Sequence, residues 1–311
     1  MNIATALKTS ALTLLLASCG PSENLKTNFQ SNLNSQSGIR EGHDAQSGDE
    51  ISLGTVGIIS FNKTGGGGYC SGSLLANNLV LTAAHCVDPS MKTYIVFSTD
   101  TNIDPTELKK VARLVDDYII HPEYNDDFRI PSKDPKALPR ASNDIAVLHY
   151  QGTTPSNYRP VKLLKDYRQL REGTVVTVAG YGIAFDEDAI ADAKNPRNAH
   201  DMTEQPDTSG VGKLRSAEVT LMGSLNPAEM VFDQSKGSGA CQGDSGGPAY
   251  LRNKNSLQVF GVASRGAPRA EGSPCMKMII YTAVGPYFKF IKDSAKNLIT
   301  KADPKPKVAR R

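Results

Sequence analysis

Three short motifs carry residues that could do chemistry together. Ser245 stands in Gly239-Ala240-Cys241-Gln242-Gly243-Asp244-Ser245-Gly246-Gly247-Pro248, His85 in Thr82-Ala83-Ala84-His85-Cys86, and Asp144 in Asn143-Asp144-Ile145-Ala146. A serine hydroxyl is a poor nucleophile until a base takes its proton during attack. Imidazole suits that task because its pKa lies near working pH, so it can accept the proton and return it. A carboxylate holding the other ring nitrogen would fix the tautomer and stabilise the imidazolium. Glycines beside a serine let backbone N–H groups face a developing oxyanion where a side chain would obstruct. For the Gly-Asp-Ser-Gly-Gly run alone, a tight turn is the plain alternative.

The rest of the chain must place these residues. Its 311 residues allow a full hydrophobic core, with 39% hydrophobic and 22% charged residues, 27 Gly and 18 Pro, the composition of a turn-rich globular protein. A formal net charge of +3 gives no basis for nucleic-acid binding. Short β-like runs recur between turn residues: Val56-Gly57-Ile58-Ile59, Leu79-Val80-Leu81, Tyr94-Ile95-Val96-Phe97, Ile145-Ala146-Val147-Leu148 and Val175-Val176-Thr177-Val178. Ala217-Glu218-Val219-Thr220-Leu221, Gln258-Val259-Phe260-Gly261-Val262 and Met278-Ile279-Ile280-Tyr281 complete the series. Many short strands without alternating long helices predict a sandwich or barrel. Tyr287 to Ile299 is the one convincing helix, with Phe288, Ile291, Ala295, Leu298 and Ile299 at helical spacing.

The N-terminus reads as an export signal. Lys8 precedes the short apolar run Ala11-Leu12-Thr13-Leu14-Leu15-Leu16, and small residues follow it. Leu16-Ala17-Ser18-Cys19 resembles a bacterial lipobox, which predicts a signal peptide over 1–18 and acylation of Cys19; an ordinary secretory signal is the alternative. Residues 19–38, rich in Ser, Asn and Gln, read as a flexible spacer or propeptide. The four remaining cysteines, Cys70, Cys86, Cys241 and Cys275, are an even set in an exported chain and read as a disulfide framework. Four cysteines allow three connectivities, among which spacing does not choose. A zinc site lacks a paired CxxC or a close histidine set. Asp126 to Ser142 and Asp186 to Gly210 read as polar surface insertions, which could select substrates or be mere excursions. Residues 301–311 form a basic, solvated tail. His43, His121, His149 and His200, and Asp116, Asp117, Asp126 and Asp127, read as structural or solvated groups.

The three motifs, in the order His, Asp, Ser, resemble the trypsin/chymotrypsin family of serine endopeptidases over about Ile39 to Ile291. The resemblance implies an all-β fold of two six-stranded antiparallel barrels with a closing C-terminal helix, occupying residues 39–300. It implies Ser245 as nucleophile, His85 as general base and acid, Asp144 as orienter, and the N–H groups of Gly243 and Ser245 as oxyanion donors. It pairs Cys70 with Cys86 and Cys241 with Cys275, each loop contributing roughly 3–4 kcal/mol on the chain-entropy account.

It further implies that Asp244 pairs with a new amine at Ile39 after proteolysis, although Arg40 and Glu41 depart from the family's usual residues there. Gly239, Ser264, Gly266 and Ile279 fall at the specificity pocket, and Gly239 in place of an aspartate argues against Lys/Arg selectivity. Arg265 stands where an aromatic is common, Tyr181 in place of a common Trp, and Phe232 where a cysteine often stands.

The reading is a secreted, zymogen-type endopeptidase: a monomer with polypeptide substrates, an activating protease, and no cofactor, metal or nucleic acid. It touches a membrane only through Cys19, or is released to the periplasm or extracellular space after a cut near Ile39. A non-catalytic binding or adhesion module on the same scaffold is the alternative from another class. Esterase action would use the same acyl chemistry.

Overall fold

The computed structural model describes residues 39, 42–125, 140–167, 169–182, 211–235, 237–253, 256–269 and 276–302. Cys19, Arg40, Glu41, His200, Cys275, the 301–311 tail beyond Ala302, residues 126–139 of the first predicted insertion and the whole of the second lie outside them.

A two-residue strand, β1 (His43–Asp44), leads into the first barrel. That barrel comprises β2 (Thr55–Phe61), β3 (Gly67–Leu75), β4 (Leu79–Thr82), β5 (Lys92–Val96), β6 (Ala112–Ile120) and β7 (Ala146–Tyr150). They close in the order β2-β3-β4-β7-β6-β5, all antiparallel. Successive side chains on a strand point to opposite faces. Leu148 and Tyr150 of β7 therefore join Val56, Ile58, Leu74 and Ile95 inside the barrel, whereas Ile145 and Val147 face the other way, into a second apolar cluster. With both faces covered, alternation vanishes from the sequence and the run reads as continuously apolar.

After β8 (Lys162–Leu163), the second barrel takes β9 (Val175–Gly180), β10 (Arg215–Asn226), β11 (Glu229–Asp233), β12 (Pro248–Asn253), β13 (Ser256–Arg269) and β14 (Met276–Ala283). The order β10-β11-β14-β13-β12-β9 closes through antiparallel pairing of β10 with β9; β1 pairs with β10 and β8 with β13 at its margins. Val176, Val178, Val219, Phe232, Phe260 and Tyr281 fill its interior. Phe232, at the position of a common cysteine, packs edge-on against Tyr281 at 5.3 Å between ring centroids. The two six-stranded antiparallel barrels and the C-terminal helix are the architecture that the resemblance implied.

All eight expected apolar runs fall in strands, with ends shifted by a residue at Phe97 and Ile145. The expected helix is observed as α2 (Phe288–Ala302), which buries Ile291, Ser294 and Leu298. A second helix, α1 (Pro105–Val111), was not expected, yet its signals are local: Asp104 accepts the Thr106 N–H at 2.7 Å and Pro105 opens the first turn. Leu81, Ala83, Val147, Tyr181, Tyr250 and Val262 pack with Tyr287, Ile291 and Leu298 in one cluster shared by both barrels and α2. Along this seam the three motifs meet.

Candidate active site

His85 lies just past β4, on a short 3-10 turn, Ala84–Cys86. Cys86 is bonded to Cys70 of β3, so a covalent bridge brackets the turn. The His85 backbone N–H donates to Asp144 Oδ1 at 3.0 Å, and His85 Nδ1 lies 2.8 Å from Asp144 Oδ2. Two contacts from one residue to one carboxylate fix the ring's orientation and leave Nε2 as its other edge.

Asp144 is fully buried. Its Oδ2 also accepts the Ser264 hydroxyl at 2.7 Å, so a buried charge is met by three donors, as such burial requires. The preceding Asn143 adopts the left-handed conformation, φ 52°. It is held there by its Nδ2 donating to Glu123 C=O at 2.9 Å and by Tyr287, whose hydroxyl donates to Asn143 Oδ1 at 2.7 Å. Tyr287 stands at the entry to α2, so the terminal helix is tied to the Asp144 loop.

Ser245 sits on the turn between β11 and β12. Two hydrogen bonds hold that turn on the second barrel: Gly246 N–H to Ala263 C=O at 2.8 Å and Ala263 N–H to Gly247 C=O at 2.9 Å. The first barrel grips it too. Ser71 N–H donates to Ser245 C=O at 2.7 Å, and the Ser71 hydroxyl donates to Gly243 C=O at 3.1 Å while accepting the Tyr181 N–H at 2.9 Å. Gly246, at φ 77°, fits against Thr82 and Ala83 so closely that a Cβ would collide with the Thr82 hydroxyl. Ser245 is thereby pressed against the turn that carries His85. The hydrogen bonds of the described residues join His85 to Asp144 but not to Ser245. In resting enzymes such contacts are often long and tighten with substrate.

Gly243 has φ 91°, and a side chain there would come within 2.8 Å of Gly182 Cα. Neither the Gly243 nor the Ser245 N–H has an acceptor among the described residues. Asp244 is buried and turned away, accepting the Gly182 N–H and the Cys241 N–H, each at 2.8 Å. It has no cationic partner among the described residues, and burial pushes its pKa up to about 7. Ile39 is fully buried in the cluster that fills the second barrel, and its C=O accepts the Gly42 N–H at 2.8 Å.

The residues assigned to a specificity pocket are placed less uniformly. Ser264 turns its hydroxyl to Asp144. Gly266 pairs with Ile279 across β13 and β14, and the Ile279 side chain is buried with Phe232, Ala240 and Tyr281. Gly239 adjoins Ala240, whose N–H and C=O are both held by the buried Gln234 amide, at 2.6 and 3.1 Å. Gln234 has no signal in the sequence, because the bonds form only once the loop folds back six residues. Cys241 is disulfide-bonded; its expected partner, Cys275, lies outside the described residues.

His149 is structural: it is nearly buried, and its Nδ1 lies 2.6 Å from Oδ1 of Asp116, which is therefore not merely a solvated group. Asp117 carries an ion pair with Lys301 at 3.0 Å. His121 is structural, lying edge-on to Tyr287 and Phe290, with burial lowering its pKa. Tyr181, in place of the common Trp, is buried and donates to Ser98 C=O at 2.7 Å. Among the described residues, Cys70, His85 and Cys86 alone cluster like metal ligands, and those two sulfurs are bonded to each other. No described helix is long and apolar enough to cross a membrane.

Comparison with known proteins bears on the whole arrangement. The chain is 30% identical to brachyurin of Leptuca pugilator over 200 residues, covering 64% of this chain and 76% of that protein. It is 26% identical to the urokinase-type plasminogen activator of Gallus gallus and 27% identical to serine protease Hayan of Drosophila melanogaster. Those matches cover 75% and 76% of this chain but only 52% and 36% of the relatives' lengths. Among solved structures, HL collagenase superposes with a TM-score of 0.61 at 20% identity, covering 83% of this chain and 99% of the other. The structure of GrC gives 0.58 at 21% identity, covering 82% and 98%. Those identities carry the fold only. The trypsin family profile, however, matches residues 39–291, and the chain belongs to the trypsin family of serine proteases.

Proposed function

We propose that the chain is a serine endopeptidase that cleaves peptide bonds through an acyl-enzyme, with Ser245, His85 and Asp144 as its catalytic residues. The observation that carries this reading is the buried Asp144 carboxylate held against His85 Nδ1 at 2.8 Å, beside a serine turn clamped by both barrels. In the first step Ser245 Oγ attacks the scissile carbonyl carbon and His85 Nε2 takes its proton. The oxyanion is received by the N–H groups of Gly243 and Ser245. Collapse expels the amine, which takes the proton from His85. Water then repeats the sequence, freeing the carboxylic acid and Ser245.

Activity in this reading waits on a cut before Ile39. The new ammonium would pair with Asp244, a buried carboxylate that otherwise has two N–H donors and no described cation. Burying such a pair is costly unless both members are present, so the oxyanion turn should depend on that amine. The Ser-Asn-Gln-rich stretch before Ile39 is then the propeptide, and Gly38 before the cut excludes a Lys/Arg-specific activator. With Cys19 acylated and Cys70, Cys86 and Cys241 already in disulfides, cutting at Ile39 would release the domain from its lipid anchor to the periplasm or beyond. Gly239 supports a preference for small or medium apolar side chains over Lys or Arg.

The test is labelling of the processed protein with a peptidyl phosphonate or a sulfonyl fluoride, beside Ser245→Ala. Labelling of the parent chain with none in the variant is expected. No labelling after verified processing at Ile39 would leave the chain a non-catalytic binding module.

A further inference from the structure

One buried carboxylate next to the Asp144 loop has no part in the chemistry above. Glu229, the first residue of β11, is 1% exposed and accepts five hydrogen bonds. Its Oε1 takes the Ser142 N–H at 2.9 Å, the Ser142 hydroxyl at 2.7 Å and Arg265 Nη1 at 2.7 Å. Its Oε2 takes Asn226 Nδ2 at 2.7 Å and Arg265 Nη2 at 2.8 Å. The Arg265 pair is bidentate, the geometry that gives a guanidinium its directional hold.

The donors come from two places that both bear on Asp144. Ser142 precedes Asp144 by two residues in the chain entering the first barrel. Arg265 directly follows Ser264, whose hydroxyl bonds Asp144 Oδ2 at 2.7 Å, and Arg265 Nη1 also reaches the Ser142 hydroxyl at 3.1 Å. Asp144 is thus flanked by its own backbone on one side and Ser264 on the other, and both flanks converge on Glu229 and Arg265. Glu229 and Arg265 belong to the second barrel; Ser142 leads into the first.

A buried ion pair is weak evidence for stability, since apolar residues of similar volume often serve as well. Its position therefore needs another explanation. We propose that Glu229 and Arg265 are positioning residues for acyl transfer: their paired side chains hold Ser142 and Ser264, and so fix the Asp144 carboxylate against His85 across the seam between the barrels. The inference rests on the serine-peptidase reading.

The experiment compares processed parent protein with Glu229→Gln, Arg265→Lys, and a double variant, Glu229→Leu with Arg265→Met, that replaces the pair by apolar side chains. For each, kcat and KM on a chromogenic peptide, the rate of phosphonate labelling, and Tm are measured. A misplacement of about 1 Å caused at a residue away from the reacting atoms lowers activity by on the order of 100-fold. We expect that loss in kcat and labelling rate, with KM within about twofold of the parent's, as for misplacement rather than lost binding. The double variant should regain the parent Tm without regaining kcat.

Parental kcat in the double variant would overturn the proposal, because the pair would then matter only for packing. If Glu229→Gln does not fold, leaving Arg265 buried without its counter-charge, the double variant decides alone. A processed parent that fails to label removes the peptidase reading itself, whereas a parent that labels alongside variants with unchanged kcat removes only the positioning role.

Discussion

Ser71 shows how much a single unadvertised residue does at this site. It is fully buried, and its hydroxyl links the Tyr181 N–H to the Gly243 C=O. Ser71→Ala would leave the buried Tyr181 N–H without its acceptor, a loss of about 1–3 kcal/mol. We expect a lower Tm and slower phosphonate labelling, since Gly243 loses its tether to the first barrel; unchanged values in both would show that the turn holds without it. Asp244 makes a second prediction, about pH. In the uncut chain its pKa stands at about 7 against an ordinary 3.8. Because the folded value is the higher one, its contribution to stability is fully present below about 3.8 and is lost as pH rises through about 7. Denaturant melts of uncut Ser245→Ala protein should weaken over that interval, and adding Asp244→Asn should flatten the trend.

At the scale of elements, α2 serves the site as well as the core. Leu298, 1% exposed, and Ile291 dock it on the seam, and Tyr287 at its entry bonds Asn143. Truncating Leu298 to Ala should destabilise the protein by about 2–5 kcal/mol, the usual range for a buried leucine. Thermal unfolding would register it, and a shift near zero would mean that the helix is held by its other contacts. Eight of the strands are legible because each carries a compact apolar run between turn residues. β3, β6, β11 and β12 were not read from the sequence; β3 is half glycine and serine, and β6 carries Arg113, Asp116 and Asp117. Such strands are recruited by their neighbours' hydrogen bonds rather than by their own pattern. The short helix α1 was missed despite an Asp-Pro start, because seven residues give no periodicity.

For the molecule as a whole, the proposed cut at Ile39 couples three properties: activity, stability and release from the membrane. Replacing Ser37-Gly38 with an uncleavable sequence should leave a folded, inactive, membrane-associated chain, checked by fractionation, N-terminal sequencing and labelling. Full activity in an intact chain beginning at Cys19 would contradict the coupling. In the processed protein, pairing with Asp244 should raise the pKa of the Ile39 amine. Activity that needs the charged amine is therefore present below that raised value and lost as pH rises through it, which a kcat/KM profile extended to alkaline pH would show.

By itself the sequence determined the family and the class of fold, and it supplied the residues on which the proposed chemistry rests. A serine set among glycines, a histidine beside a cysteine and an aspartate before an apolar run are local signatures, and short apolar runs between turns describe a β protein. Only the tertiary structure decided how those residues are held: Ser71 reaching Gly243 across 172 positions, Ser264 turned to Asp144, Gln234 folded onto Ala240, Asp116 beside His149, and Ser142 and Arg265 meeting on Glu229. The reason is physical. A turn or an apolar run is dictated by its own residues and leaves a pattern in them. A hydrogen bond between barrels depends on strand register and closure, which no single stretch of chain encodes.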